Sequence, residues 1–386
     1  MAPLLAVARR ECQRFARRPL YWFCMIGAPL LCLVFFLTLM ASGLPDDLPL
    51  GLVDDDATAT SRQLARNLDA FQQTDIVACF PTVTEARRAM QRGEIYGFYY
   101  IPEGTTRTLQ RQEQARVSFY MNYSYLIAGS LLFRDMKTMS ELASGAAMQQ
   151  VMLARGATER QAMALLQPIV IDTHPLGNPW LNYSVYLNNT LLPGVLMLFI
   201  FMITVHSLGI EIKEQTSRQW LSLARGSLPV ALTGKLLPQT AVFFLVWALI
   251  DVVMYGWLRF PCHCGLPVML GVSLLGVVAA QGMGVFMFGV LPTLRLGLSF
   301  ASLWGVISFS ISGMSFPVMA MHPVLQGLSY LFPLRHYFLL YVNFALNGYG
   351  AADIWPHLVG LAAFVLLPLV ILRRLKRALL TAKYVP

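Results

Sequence analysis

Gly234 and Lys235 form the one Gly-Lys pair in this 386-residue chain, and such a pair can close a phosphate-binding loop. That loop needs G-x-x-x-x-G-K-[ST], because consecutive backbone amides cradle the phosphates and the final hydroxyl holds magnesium. Here the first glycine position is Pro229 and the last position is Leu236, so the pair binds no nucleotide in that way. PCHCG (261–265) offers Cys262, His263 and Cys264 as soft metal ligands. Three ligands in one short turn rarely close a tetrahedral site, and no fourth stands nearby. Free thiols are the plainer reading, ahead of a disulfide to Cys79 or a metal. What remains is ionic chemistry. EIKEQTSRQWLSLARGSLPVALTGKLLP (211–238) sets Glu211, Glu214, Arg218, Arg225 and Lys235 into a kinked segment between two apolar runs, a composition suited to a docking contact.

Four single residues compete for a role. Asp251 is the one acid well inside an apolar run, where a charge costs at least ~2.5–3.5 kcal/mol, so it should face other helices or a wet cavity. It reads equally as a pathway residue or as a satisfied structural acid. Arg335 and His336 suit an anionic lipid headgroup or a snorkelling side chain, and the second is the plainer role. His206, near the end of its run, reads as a packing residue. Nineteen methionines, several within 314–321, fit core filling before a soft surface for apolar cargo.

The elements that must position these residues are membrane helices. The chain is 56% hydrophobic and 13% charged, against about 25% charged in soluble domains. Six runs are long enough to cross about 30 Å of hydrocarbon: 20–42, 187–209, 236–258, 266–290, 296–316 and 354–372. The first follows Arg9, Arg10, Arg14, Arg17 and Arg18, and is about twice the length of a cleavable signal core, so it reads as an uncleaved anchor. Residues 1–19 pattern as an amphipathic helix with Leu4, Leu5, Ala8, Cys12 and Phe15 towards one face, lying on the membrane surface. Residues 43–184 hold 15 acidic against 12 basic residues, whereas the rest holds 17 basic against 5 acidic. Basic residues stay cytoplasmic. Both termini (with the tail 373–386) and the loop 210–235 are therefore expected inside, and residues 43–184 outside. The basic balance is a topology signal and carries no nucleic-acid footprint.

The fold class expected is an α-helical polytopic membrane protein with six transmembrane helices and an α+β extracytoplasmic domain inserted between the first two. In that domain LPLGLVDDD, DIVACF (75–80), IYGFYYIP (95–102) and RVSFYMNYS (116–124) read as strands. SRQLARNLDAF (61–71), capped by Ser61, and TVTEARRAMQRG (82–93), closed by Gly93, read as helices, and 126–167 as helical with a break near Gly156. After the fifth run, 317–350 is apolar but interrupted by Pro317, Pro323 and Pro333, which predicts two short re-entrant or surface helices lining or capping a path.

Three stretches carry a resemblance. The segment 211–238, with Glu211, Glu214, Thr216, the short WLSLARGSLP helix, Gly234-Lys235 and Pro238, is similar to the cytoplasmic loop of type-2 ABC transporter permeases. SGMSFPVMAMHPVLQGLSYLFPLRHY (312–337) resembles the sequence after that family's fifth span. LPLGLVDDDATATSRQLARNL and AMQRGEIYGFYYIP resemble the start of the outer domain in its exporter branch. One departure is Gln215, where relatives commonly place glycine. The resemblance implies that 211–238 holds a coupling helix docking on a separate ABC ATPase subunit, with Glu211, Glu214, Thr216 and Lys235 carrying the coupling. It implies an outer gate shaped by Ser312, Gly313, Phe316, Pro317, Pro323 and Pro333, and a path with Asp251 and Arg335 as candidates. It implies no cofactor on this chain and no enzymatic activity of its own, ATP and magnesium belonging to the partner. Further expected partners are a second copy or paralogue of the permease, a periplasmic adaptor (membrane fusion) protein and membrane lipid. The setting implied is a bacterial inner membrane, with an amphiphilic or apolar cargo (drug-, lipid- or peptide-like) moved outward. The rival reading is a membrane-anchored sensor or scaffold that binds a ligand through the outer domain without transport.

Overall fold

The computed structural model describes residues 3–111, 113–167 and 173–382. Helix α1 (Pro3–Arg17) buries Val7, Ala8, Glu11 and Phe15. This corrects the expected face: Leu5 and Cys12 are exposed, and α1 packs on protein along a stripe that includes an acid. Arg18 is extended (φ −122°, ψ 111°), as a residue before proline prefers, so the chain turns there and Pro19 starts α2 (Pro19–Leu39). Within α2 a π turn spans Phe23–Gly27.

The chain divides into two compact units, Leu44–His174 and the remainder. In the first, strand β1 (Leu48–Asp54) leads to α3 (Ala59–Asp69), β2 (Thr74–Cys79), α4 (Val83–Gln91), β3 (Gly97–Ile101), α5 (Thr105–Gln110), β4 (Ser118–Met121), α6 (Leu126–Ala154) and α7 (Glu159–Leu166). The sheet order is β2-β1-β3-β4, with β1 parallel to both neighbours and β4 antiparallel to β3. Parallel pairing requires crossovers, which α3 and α4 supply. Alternation along the strands sends Leu50, Leu52, Tyr99 and Ile101 against α3 and α6, while Val53 and Phe98 pack on Ala86 and Ala89 of α4. The expected cap shifts: Thr58 is the N-cap of α3, and Ser61 sits at its third position as the other half of a capping box. Gly93 (φ 77°) and Gly156 (φ 86°) take the left-handed turns that end α4 and α6.

The second unit continues with α8 (Tyr183–Lys213), α9 (Ser217–Leu223), α10 (Leu228–Trp257), α11 (Leu266–Val290), α12 (Leu294–Ile311), α13 (Pro323–Ser329), α14 (Pro333–Leu340) and α15 (Ala351–Thr381). Residues 175–182, assigned by sequence to the inserted domain, belong here: the Tyr183 amide donates to the Gly43 carbonyl at 2.7 Å, and Gly43 packs on the Asn182 side chain. Among the described residues, six helices (α2, α8, α10, α11, α12 and α15) are long and apolar enough to cross a membrane. Helix α8 packs between α11 and α12, and α11 also packs on α15. A Cβ on Gly282 would fall 2.1 Å from the Phe364 carbonyl oxygen, so only glycine lets α11 and α15 approach so closely.

The proline-rich stretch forms two short helices as expected, but the prolines start them. Pro323 and Pro333 occupy first-turn positions of α13 and α14, where a missing N–H costs nothing. Helix α14 runs on as a π helix over Tyr341–Leu346 and buries Leu334, Tyr337, Leu340 and Tyr341, so it is a core element rather than a surface one.

Candidate functional site

The apolar pattern of α8 continues one turn past the expected span end, carrying Glu211 inside the protein. A carboxylate buried there must be paired, and three elements supply partners. From α1, Arg10 donates two bonds to Glu211, Nη1 to Oε1 at 2.8 Å and Nη2 to Oε2 at 2.9 Å, and Arg14 donates a third. From α10, Lys235 Nζ donates to Oε1 at 2.8 Å. The Thr216 hydroxyl, just before α9, donates to Oε2. Glu11 lies on the other side of Lys235 at 2.9 Å and also receives Arg10 at 3.0 Å. Glu11, Glu211 and Lys235 are each 0% exposed. At the rim, Glu214 pairs with Arg14 at 3.0 Å and with Arg18. Four cations thus meet three carboxylates. Burial alone would pull the Arg10 guanidinium down; the hydrogen bond and charge of Glu211, with Glu11 and Glu214, carry it above its ordinary value.

This cluster is the seat of α9. Trp220 of α9 is fully buried, and its ring lies 4.8 Å from Lys235 Nζ, a cation–π contact that ties the short helix to the ions beneath it. Arg218, Gln219, Ser222 and Leu223 face outward. The turn from α8 into α9 requires Gln215 at φ 59°, a left-handed conformation that favours glycine, at the position singled out above as a departure from the family pattern. A cleft of about 550 Å³ opens beside α9, between Ile212, Gln215 and Arg218 on one side and Leu379–Ala382 of α15 on the other. The arrangement can hold α9 rigid against α1, α8 and α10, and can pass a displacement of one to the others.

Of the sequence-derived candidates, Glu211, Glu214, Thr216 and Lys235 therefore meet at one place, but Glu211 and Lys235 lie under α9 and not on its outer face. Arg10, Glu11, Arg14, Arg18 and Trp220 were missed. The available signal was Glu11, the only acid in the first 45 residues.

Elsewhere, Arg335 Nη1 donates to the Ser312 carbonyl at 3.3 Å, and the guanidinium lies over the Tyr330 ring at 5.3 Å. Gly313 (φ 103°) turns the chain past Arg335, and the Tyr186 hydroxyl holds the Met314 carbonyl. Ser312 and Pro333 are buried, whereas Phe316, Pro317 and Pro323 are exposed. The structure thus joins Ser312, Gly313 and Arg335. Asp251 is fully buried among α10, α11 and α14, accepting the Ser273 hydroxyl at 2.6 Å; its Oδ1, the Tyr337 hydroxyl and Trp247 Nε1 have no partner among the described residues. His336 Nε2 meets the Tyr330 carbonyl at 3.0 Å, and His206 packs edge-on to Tyr21. The Cys262 and Cys264 sulfurs stand 3.9 Å apart as free thiols, and Cys79 is free and exposed. No group of three His, Cys, Asp or Glu able to hold a metal occurs among the described residues.

A sequence model of one protein family, described as ABC-2 family transporter protein, matches residues 19–373. No curated protein matches the chain. The matched segment holds Glu211, Glu214, Thr216 and Lys235 and begins just after α1.

Proposed function

The chain belongs to the ABC-2 family of transporter proteins, and from that premise we propose that it is the permease subunit of an ATP-driven exporter, coupled to a separate ATPase through α9. The observation that carries this reading is the buried ion cluster under a short helix whose outer face is free. A partner pressing on Arg218, Gln219, Ser222 and Leu223 moves a helix that cannot shift without disturbing Glu211, Lys235 and Arg10, hence α8, α10 and α1. That is how a local contact becomes a switch between two packed arrangements. The cleft between α9 and the end of α15 offers the partner a socket.

In this reading two such chains, identical or paralogous, enclose the path, and both termini face the cytoplasm of a bacterial inner membrane. Residues 44–174 lie on the outer side and meet a periplasmic adaptor or guide cargo. Arg335 steadies the turn at Ser312 and Gly313 as part of the outer gate, and Asp251 acts on the path from inside the bundle. Cargo is amphiphilic or apolar. ATP and magnesium reside on the partner. A sensor or scaffold has no use for a force-bearing seat under α9, which favours transport over that alternative.

The test is Glu214→Arg, which reverses the charge facing Arg14 and Arg18 at the exposed rim. Co-purification of the ATPase and vanadate-sensitive turnover should fall at least tenfold, with membrane levels unchanged. Wild-type coupling in this variant removes the role given to α9.

A further inference from the structure

Helices α10, α11 and α15 leave between them an open groove of about 540 Å³. Its walls are apolar, with Leu236 and Leu237 from α10, Val278 from α11, and Val365, Leu369 and Leu372 from α15. The polar groups at its floor satisfy each other: the Thr240 hydroxyl donates to Gln281 Oε1 at 2.8 Å, and Gln281 Nε2 to the Leu236 carbonyl at 3.4 Å. The groove therefore asks for a hydrocarbon and offers no hydrogen bond.

One end is basic. Val365, Leu369 and Leu372 follow a helical face, and the next residue on that face is Lys376. Its Nζ reaches the Gly226 carbonyl at 2.8 Å, three residues before Pro229, which also lines the groove. Arg225 and Arg373 are the sequence neighbours of Gly226 and Leu372; both are exposed, and no ion pair or hydrogen bond of their side chains occurs among the described residues. No acidic side chain among the described residues of this unit neutralises them. Glu11, Glu211 and Glu214 are engaged in the cluster under α9, Asp251 is buried with Ser273, and Asp353 lies at the far end of α15, about 30 Å away along the helix. Apolar walls leading to unneutralised cations at a membrane-helix end match one kind of molecule.

We propose that this groove binds a single anionic glycerophospholipid, one acyl chain lying between α10, α11 and α15 and the phosphate held by Lys376, Arg373 and Arg225. The lipid supplies the negative charge that the protein lacks there, and its chain fills the space left between three helices, two of which meet closely at Gly282. The inference holds whether or not α9 meets an ATPase, and its test needs no transport assay.

The full-length protein, delipidated in detergent, is titrated with phosphatidylglycerol and with phosphatidylcholine of the same chains, and bound lipid is counted by native mass spectrometry. Phosphatidylglycerol should saturate at one per chain with at least tenfold preference over phosphatidylcholine. Arg373→Gln with Lys376→Gln should abolish that preference, and Leu369→Trp, which fills the groove, should remove binding of both lipids at this site. Circular dichroism and a single monodisperse elution peak identify variants that fold. Should Leu369→Trp misfold, Val278→Trp fills the same groove from α11. Equal retention of the two lipids by the wild type, preference unchanged by the double substitution, or equal competition by chain-free glycerol phosphate would each overturn the proposal.

Discussion

Removing the Glu211 carboxylate leaves Arg10, Arg14 and the fully buried Lys235 facing one another in a largely buried site, with Glu11 the one buried counter-charge. Breaking a buried ion pair by deleting one partner costs about 3–5 kcal/mol, because an uncompensated charge stays behind. Glu211→Gln is thus expected to lower the unfolding midpoint in detergent far more than Glu214→Gln, whose carboxylate is partly exposed; equal shifts would mean that the cluster is not a closed network. Gln215 offers the opposite sign. Relieving its φ of 59° by Gln215→Gly should stabilise the α8–α9 turn by about 1 kcal/mol, seen as a raised midpoint. At this scale the sequence was informative but incomplete. The five acids outside 43–184 are few enough to be conspicuous, and three of them, Glu11, Glu211 and Glu214, share the site. Their convergence depends on Arg10 and Lys235, which lie far apart along the chain, and no local pattern encodes that pairing.

Among the elements, α1 shows where hydrophobic patterning misleads. Leu4, Leu5 and Phe15 mark a face for lipid, yet the helix turns Val7, Ala8, Glu11 and Phe15 inward, and Glu11 can be buried there because Lys235 and Arg10 pair with it. A pattern that scores acids as solvent-seeking cannot anticipate an acid with a buried partner. The proline-rich stretch has a similar lesson: Pro323 and Pro333 were legible as punctuation, but the same residue interrupts a helix interior and suits a first turn, and both stand in first turns. Contact between α1 and α10 is close at Gly234, where a Cβ would stand 2.9 Å from Val7 Cβ and 3.0 Å from the Leu4 carbonyl oxygen. Gly234→Val should lift α1 from its seat without touching an ion. Spin labels at Leu5 and Leu223 should report a longer, broader distance distribution in that variant; an unchanged distribution would show that α1 is held elsewhere.

For the whole molecule, composition was enough to give six candidate spans in the right order, since the hydrocarbon sets both length and polarity, although α10 starts eight residues before its expected span and α15 ends nine after its own. The ends were less legible, because α8 and α10 extend into protein-covered, charged territory where hydropathy no longer reports position. The charge asymmetry predicts sidedness. Single cysteines placed at exposed positions within 44–174 should react with an impermeant maleimide only from outside intact cells, and one at Arg218 only after the membrane is opened. Labelling of both from the same side would reverse or abolish the topology on which the coupling reading stands.

The bond from Arg10 to Glu211 spans 201 residues of chain. During synthesis the first helix leaves the ribosome long before α8 or α10 exists, carrying four arginines and an acid, with Arg10, Glu11 and Arg14 lacking the partners they meet in the fold. Until the third crossing is threaded, that helix has nowhere to settle. Completion of the first half of the bundle is therefore registered at α1, and a product truncated before α10 would carry that helix without its seat.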